Sequence, residues 1–172
     1  MKKRILALCL SLCICLSLSV VAFAEPYVED NTMPYLYDTY GGQMRGASMP
    51  TESWNLSNGS YEGRIASVGV SNGVYTNYYF NCNSAGKLKV TGTISAKYGG
   101  YTGSRCIIRI YNAVTKALVT SYDAGYDDYS SKYISHTFTG LKSGTAYAVM
   151  FYNGSKSEFS NPLSGPITVS WP

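Results

Sequence analysis

The stretch 137–152, Thr-Phe-Thr-Gly-Leu-Lys-Ser-Gly-Thr-Ala-Tyr-Ala-Val-Met-Phe-Tyr, most limits what this chain can become. A strand ending at Phe138 runs through a turn marked by Gly140 and Ser143-Gly144. It then enters a second strand in which Thr145, Tyr147, Val149 and Phe151 share one face, because successive strand side chains point to opposite sides. The same grammar holds from Ser53 onward, where short β-rich runs are separated by Gly, Asn and Ser turns and no window carries a helical period. The expected strands are 53–56, 61–70, 74–80, 87–96, 106–112, 117–122, 133–138, 145–152 and 167–171. This pattern predicts an all-β antiparallel sandwich of about eight strands, with a jelly roll as the expected form.

Alternation is cleanest at 87–94, where Leu88, Val90 and Ile94 oppose Lys87, Lys89, Thr91 and Thr93. Cys106, Ile108 and Ile110 likewise oppose Ile107, Arg109 and Tyr111, as half-buried antiparallel strands require. Ser71-Asn72-Gly73 reads as a hairpin turn, since Asn-Gly supplies positive φ angles. Ile167, Val169 and Trp171 fall in phase, so Trp171 is expected in the core, with a ligand platform as the alternative.

Residues 1–24 read as a secretory signal peptide of bacterial type. Lys2, Lys3 and Arg4 precede an apolar run, and Ala22-Phe23-Ala24 forms a small-x-small cleavage signal before Glu25. An uncleaved anchor is the alternative, because the run approaches the length of a spanning helix. Cys9, Cys13 and Cys15 lie within it as small apolar residues. Residues 25–52, punctuated by Pro34, Gly41-Gly42, Gly46 and Pro50, read as an irregular arm or linker carrying Tyr35, Tyr37 and Tyr40. The sandwich domain is assigned to 53–172.

Excluding the leader matters for charge. The formal +4 includes Lys2, Lys3 and Arg4, and the remainder holds 11 basic and 10 acidic residues, a net of +1. That balance argues against nucleic acid and, after cleavage, against a membrane surface. The expected localisation is extracellular. Cys82 and Cys106 are the two cysteines beyond the leader, and in an oxidising compartment an even pair predicts one disulfide; the alternative is two separately buried thiols.

The catalytic inventory is thin. His136 is the one histidine and falls in phase with Ile134 and Phe138. A Ser135, His136 and Asp123 set has no nucleophile elbow to support it, so a secreted hydrolase ranks last and no enzyme is expected. Asp123, Asp127 and Asp128 offer hard oxygen ligands for a structural Ca²⁺, against the plainer reading of a solvated acidic turn. No other cofactor is implied.

All 17 tyrosines lie beyond the leader. Strand packing accounts for Tyr79, Tyr111 and Tyr147. Tyr98, Tyr101, Tyr122, Tyr126, Tyr129 and Tyr133 cluster in or beside the segments 98–104 and 122–133, where exposed tyrosines offer contact area at low entropic cost with a hydrogen-bonding tip. These six are the expected ligand-binding residues, with tyrosine-rich packing as the alternative. The expected function is a secreted, non-catalytic module that binds a glycan or cell-surface polymer. The rival is a protein-binding or toxin-like effector acting through Tyr35–Tyr40.

The succession Tyr78-Tyr79-Phe80, Gly86-Lys87-Leu88-Lys89-Val90, Arg109-Ile110-Tyr111-Asn112, Phe138, Leu141 and Gly144-Thr145-Ala146-Tyr147-Ala148-Val149 resembles bacterial pre-peptidase C-terminal domains over about residues 74–170. That resemblance implies a non-catalytic jelly roll that accompanies secreted enzymes and binds polymers or cell surfaces. Leu141-Lys142-Ser143-Gly144-Thr145-Ala146-Tyr147 is also similar to the turn and strand that hold the tyrosine corner of fibronectin type III domains. Trp54 lies too far before Tyr147 to be the early-strand Trp those domains use.

Overall fold

The computed structural model describes residues 36–38, 44–98, 102–156 and 161–172, with 36–38 and 44–45 as backbone alone. Among them the strands are β1 (Leu36–Asp38), β2 (Met44–Arg45), β3 (Glu52–Trp54), β4 (Tyr61–Val68), β5 (Gly73–Asn81), β6 (Leu88–Ala96), β7 (Ser104–Asn112), β8 (Leu118–Asp127), β9 (Lys132–Phe138), β10 (Ala146–Asn153) and β11 (Leu163–Ser170). One 3₁₀ turn, Leu56–Asn58, is capped by the Asn55 side chain, which accepts from the Ser57 N–H. The period-2 signals translate directly into burial. Leu88, Val90 and Ile94 of β6 are fully buried, as are Cys106, Ile108 and Ile110 of β7.

The strands form two sheets, ordered β2-β1-β4-β11-β6-β9 and β3-β5-β10-β7-β8. Without β1 to β3, two four-stranded sheets remain, β4-β11-β6-β9 and β5-β10-β7-β8. In that set the chain changes sheet at every connection except the β7–β8 hairpin. This is the jelly-roll path. The pairings are antiparallel except for β3, which runs parallel to β5. The inner faces pack Ile65, Val68, Leu88, Ile94, Phe80 and Val149 into one core. At one corner Tyr61 sits 5.7 Å from Trp54 and 5.3 Å from Phe80, in edge-on and tilted arrangements.

The segment expected to be an irregular arm is partly strand. β1 pairs with β4, the Gly46 carbonyl accepts from Tyr75 N–H at 3.3 Å, and β3, which begins at Glu52 inside that segment and runs into the strand expected at 53–56, pairs with β5. This chain therefore covers a free edge of each sheet, where unpaired backbone would otherwise invite pairing with another molecule. Tyr35 and Tyr40 lie outside the described residues.

Three further expectations are corrected. Ser71-Asn72-Gly73 does turn, with Ser71 at φ 61, yet it joins β4 to β5 across the sandwich and makes no hairpin. The buried Asn153 holds it, accepting from Ser71 N–H and donating its own N–H to Asn72 O, while its side chain donates to Val68 O and Asn161 O. Trp171 lies beyond β11 and is 37% exposed, its indole N–H donating to Asn81 O at 2.9 Å.

Cys82 and Cys106 are both free and both buried. Asn81, beside Cys82, pairs with Ala146 at the start of β10, whereas Cys106 pairs with Asn153 at its end. The eight residues of β10, seven steps from end to end, span about 23 Å, and a disulfide needs Cα atoms within about 7 Å. The second reading, two separate thiols, is the one the fold adopts. Cys82 Sγ donates to Lys142 O at 3.2 Å.

The tyrosine corner is present as a local device. The Tyr147 hydroxyl accepts from Lys142 N–H at 2.8 Å and lies 3.4 Å from the Lys142 carbonyl, which fixes the entry to β10.

Candidate functional site

The outward face of the five-stranded sheet gathers side chains far apart in sequence. Because Val74 and Phe80 of β5, Val149 and Phe151 of β10, and Ile108 and Ile110 of β7 point inward, their neighbours point out. Register then sets these neighbours in rows. Tyr79, Ala148, Tyr111 and Leu118 form one, and Tyr75, Met150, Arg109 and Ser121 the next. Gly73, Tyr152, Ile107 and Asp123 form a third, and Arg105 with Tyr126 continues the face beyond them.

Within these rows the aromatic and charged groups are held against one another. Tyr75 packs edge-on to Tyr111 with ring centroids 5.6 Å apart and is only 7% exposed although it faces outward. Its burial, then the neighbouring Tyr111, raise its phenol above the ordinary value. The Arg109 guanidinium lies 3.8 Å from the centre of the Tyr152 ring, a separation at which the two planes rest on each other. Met150 lies across Gly73, its sulfur 2.7 Å from where a Cβ would stand. Arg105 is paired with Asp123, its Nη1 donates to the Tyr126 hydroxyl at 3.3 Å, and its guanidinium covers the Tyr126 ring at 4.9 Å. Hydrogen bonding from Arg105 holds the Asp123 carboxyl below the ordinary carboxylate range. Lys156 Nζ stands 5.5 Å from the same ring.

The expected tyrosine platform at 98–104 and 122–133 does not form as a unit. Much of the second segment is β8, so its side chains are divided between two faces. Tyr126 joins the outward face just described. Tyr122 points inward and stacks on His136, with centroids 4.0 Å apart and planes 12° from parallel. Tyr129 is fully buried, its hydroxyl accepting from Cys106 N–H at 3.1 Å and donating to Gly125 O at 3.2 Å. It is a core residue, and burial raises its phenol well above the ordinary value. Tyr133, 67% exposed, stands on the outer face of the other sheet, and Tyr98 follows β6, its backbone N–H donating to Asn161 Oδ1 at 2.9 Å. Tyr101 lies outside the described residues.

The acidic residues are likewise dispersed, which corrects the Ca²⁺ expectation. Asp123 is committed to Arg105, and Asp127 lies 2.9 Å from Lys132. Asp128 accepts from Ser130 N–H at 3.1 Å. Among the described residues no group of three His, Cys, Asp or Glu side chains could hold a metal ion. Ser135 and His136 are adjacent on β9 and point to opposite faces, while Asp123 faces outward on the other sheet. His136 is half-buried between Tyr122 and Phe138, 4.7 Å from the latter ring, and burial pushes its imidazole below the ordinary value.

Arg109, Tyr152, Met150 and Arg105 were not singled out by sequence reasoning. Alternation over 106–112 does place Arg109 and Tyr111 on the side opposite the core. No sequence signal reveals that β10 lies beside β7 and brings Tyr152 under Arg109.

No family model and no curated protein matches the chain. Among solved structures it is similar to a carbohydrate-binding module of Cellvibrio mixtus lichenase 5A in complex with cellotriose, at 9% identity and TM-score 0.45, covering 80% of this chain and 96% of that one. It is also similar to the C-terminal module of a Zobellia galactanivorans laminarinase, LamC, at 13% identity and TM-score 0.42, covering 69% and 86%.

Proposed function

We propose that the protein is a secreted, non-catalytic module that binds a glycan or cell-surface polymer on the outward face of its five-stranded sheet. The observation that carries this reading is the in-register set Tyr79, Tyr111, Met150 and Arg109, with Tyr126 further along. Tyrosine rings present flat apolar faces with hydroxyl tips, and arginine supplies donors in a fixed plane. A sugar ring offers apolar C–H faces rimmed by hydroxyls, so it fits such a surface without a deep pocket. Strands hold these groups more rigidly than loops would, which lowers the ordering cost of binding. Export is inferred from the basic and apolar leader at 1–24, and the resemblance to pre-peptidase C-terminal domains is in keeping with a polymer-binding role.

The test is affinity electrophoresis or titration calorimetry against soluble glycans and cell-wall polymers, with Tyr111→Ala and Tyr79→Ala as variants. Saturable binding that weakens roughly tenfold or more in each variant is the expected result, on the scale of an alanine substitution at an aromatic contact. Binding that survives both, with the fold intact by circular dichroism, would move the site elsewhere on the molecule.

A further inference from the structure

The charge on this face is uneven, and the imbalance bears on the ligand class. Among the described residues of this face Arg105, Arg109 and Lys156 stand against the carboxylate of Asp123, an excess of two positive charges, whereas the whole chain beyond the leader carries a net of +1. Asp123 is taken by Arg105. No carboxylate among the described residues pairs with Arg109. Its guanidinium is instead pinned by the Tyr152 ring at 3.8 Å. Stacking occupies the face of the guanidinium plane and leaves its edge, where the N–H donors lie, free to meet a planar anion bidentately.

We infer that the site takes an anionic glycan whose sugars carry carboxylates, a polyuronate in chemical class. Arg109 grips the carboxylate, Tyr152 positions Arg109, and Tyr111 and Met150 receive the apolar face of the ring. This rests on the glycan reading above and narrows it. Asp123, the carboxylate that these rows bring nearest, is committed to Arg105, so among the described residues the donors of Arg109 are left for an incoming anion.

The experiment is titration calorimetry of the purified protein with an oligogalacturonate, the same oligomer fully methyl-esterified, cellohexaose and a sulfated dextran. The ester keeps every ring and removes the charge, so it isolates the carboxylate. The expected result is that the acid form binds roughly 10- to 100-fold more tightly than its ester, the scale of a charge-assisted contact. Arg109→Gln should erase that difference, Arg109→Lys should retain part of it, and added salt should weaken it. Equal affinity for acid and ester, or tighter binding of cellohexaose, overturns the anionic assignment. If such binding is still lost in Tyr111→Ala, the glycan reading survives alone. Tighter binding of sulfated dextran overturns the preference for carboxylate, and binding of no glycan overturns both readings. If Arg109→Gln fails to fold, the acid and ester arms on the unaltered protein and Arg109→Lys still decide.

Discussion

Tyr129 shows how one side chain can change the reading of a whole segment. With φ at 49, in the left-handed region, its backbone turns the ring into the core, where the hydroxyl satisfies the buried Cys106 N–H. Tyr129→Phe keeps the ring and leaves that N–H without its partner, so a loss of about 1–3 kcal/mol is expected, read as a lower urea midpoint with an unchanged slope. His136 makes a second prediction at this scale. Partial burial lowers its imidazole below the ordinary value, so the unfolded chain binds the proton more readily than the folded one, and stability falls as pH drops below the ordinary histidine value of about 6.5. Asp123 and Asp127 are held low by Arg105 and Lys132, so their stabilisation persists above the ordinary carboxylate value of about 3.9 and is lost as pH falls below it. Melting temperature against pH should therefore show a first decline below about pH 6.5 and a second near pH 4. His136→Phe should remove the first and leave the second.

At the scale of elements, β11 carries the tightest geometric demand. Gly165 sits at φ 148 where β11 shifts register against β4, and a Cβ there would meet the Thr93 carbonyl oxygen inside contact distance. Gly165→Ala should cost about 1–3 kcal/mol from backbone strain alone, with the clash adding to it, and thermal unfolding would show the drop. The strands themselves were largely legible, because a sandwich strand buries every second residue and the alternation at Leu88, Val90 and Ile94 declares its own phase. The 3-residue β1 and 2-residue β2 were not, since β1 is held by β4 and β2 by β1, and neither has a pattern of its own. β8 was underestimated because Gly125 and the acidic residues look like loop, while the hairpin with β7 holds them in a ladder. Register across the sheet was the least legible feature. The rows that build the candidate site join Tyr75, Arg109 and Met150, and nothing in a local window links them.

For the whole molecule, the jelly-roll path means that almost every neighbour in a sheet is distant in sequence. β4 pairs with β11 and β5 with β10, so the chain must close long loops before most of its contacts exist. Slow folding is to be expected of such a topology, in the millisecond-to-second range typical of β-sandwiches. The two thiols give a way to watch the reverse process. Each is shut inside the sandwich near an opposite end of β10, and no oxidant is needed to complete the fold. A thiol-reactive probe would thus act as a pair of door sensors on one strand: mass spectrometry of the peptides carrying Cys82 and Cys106 would tell which end of the sandwich opens first.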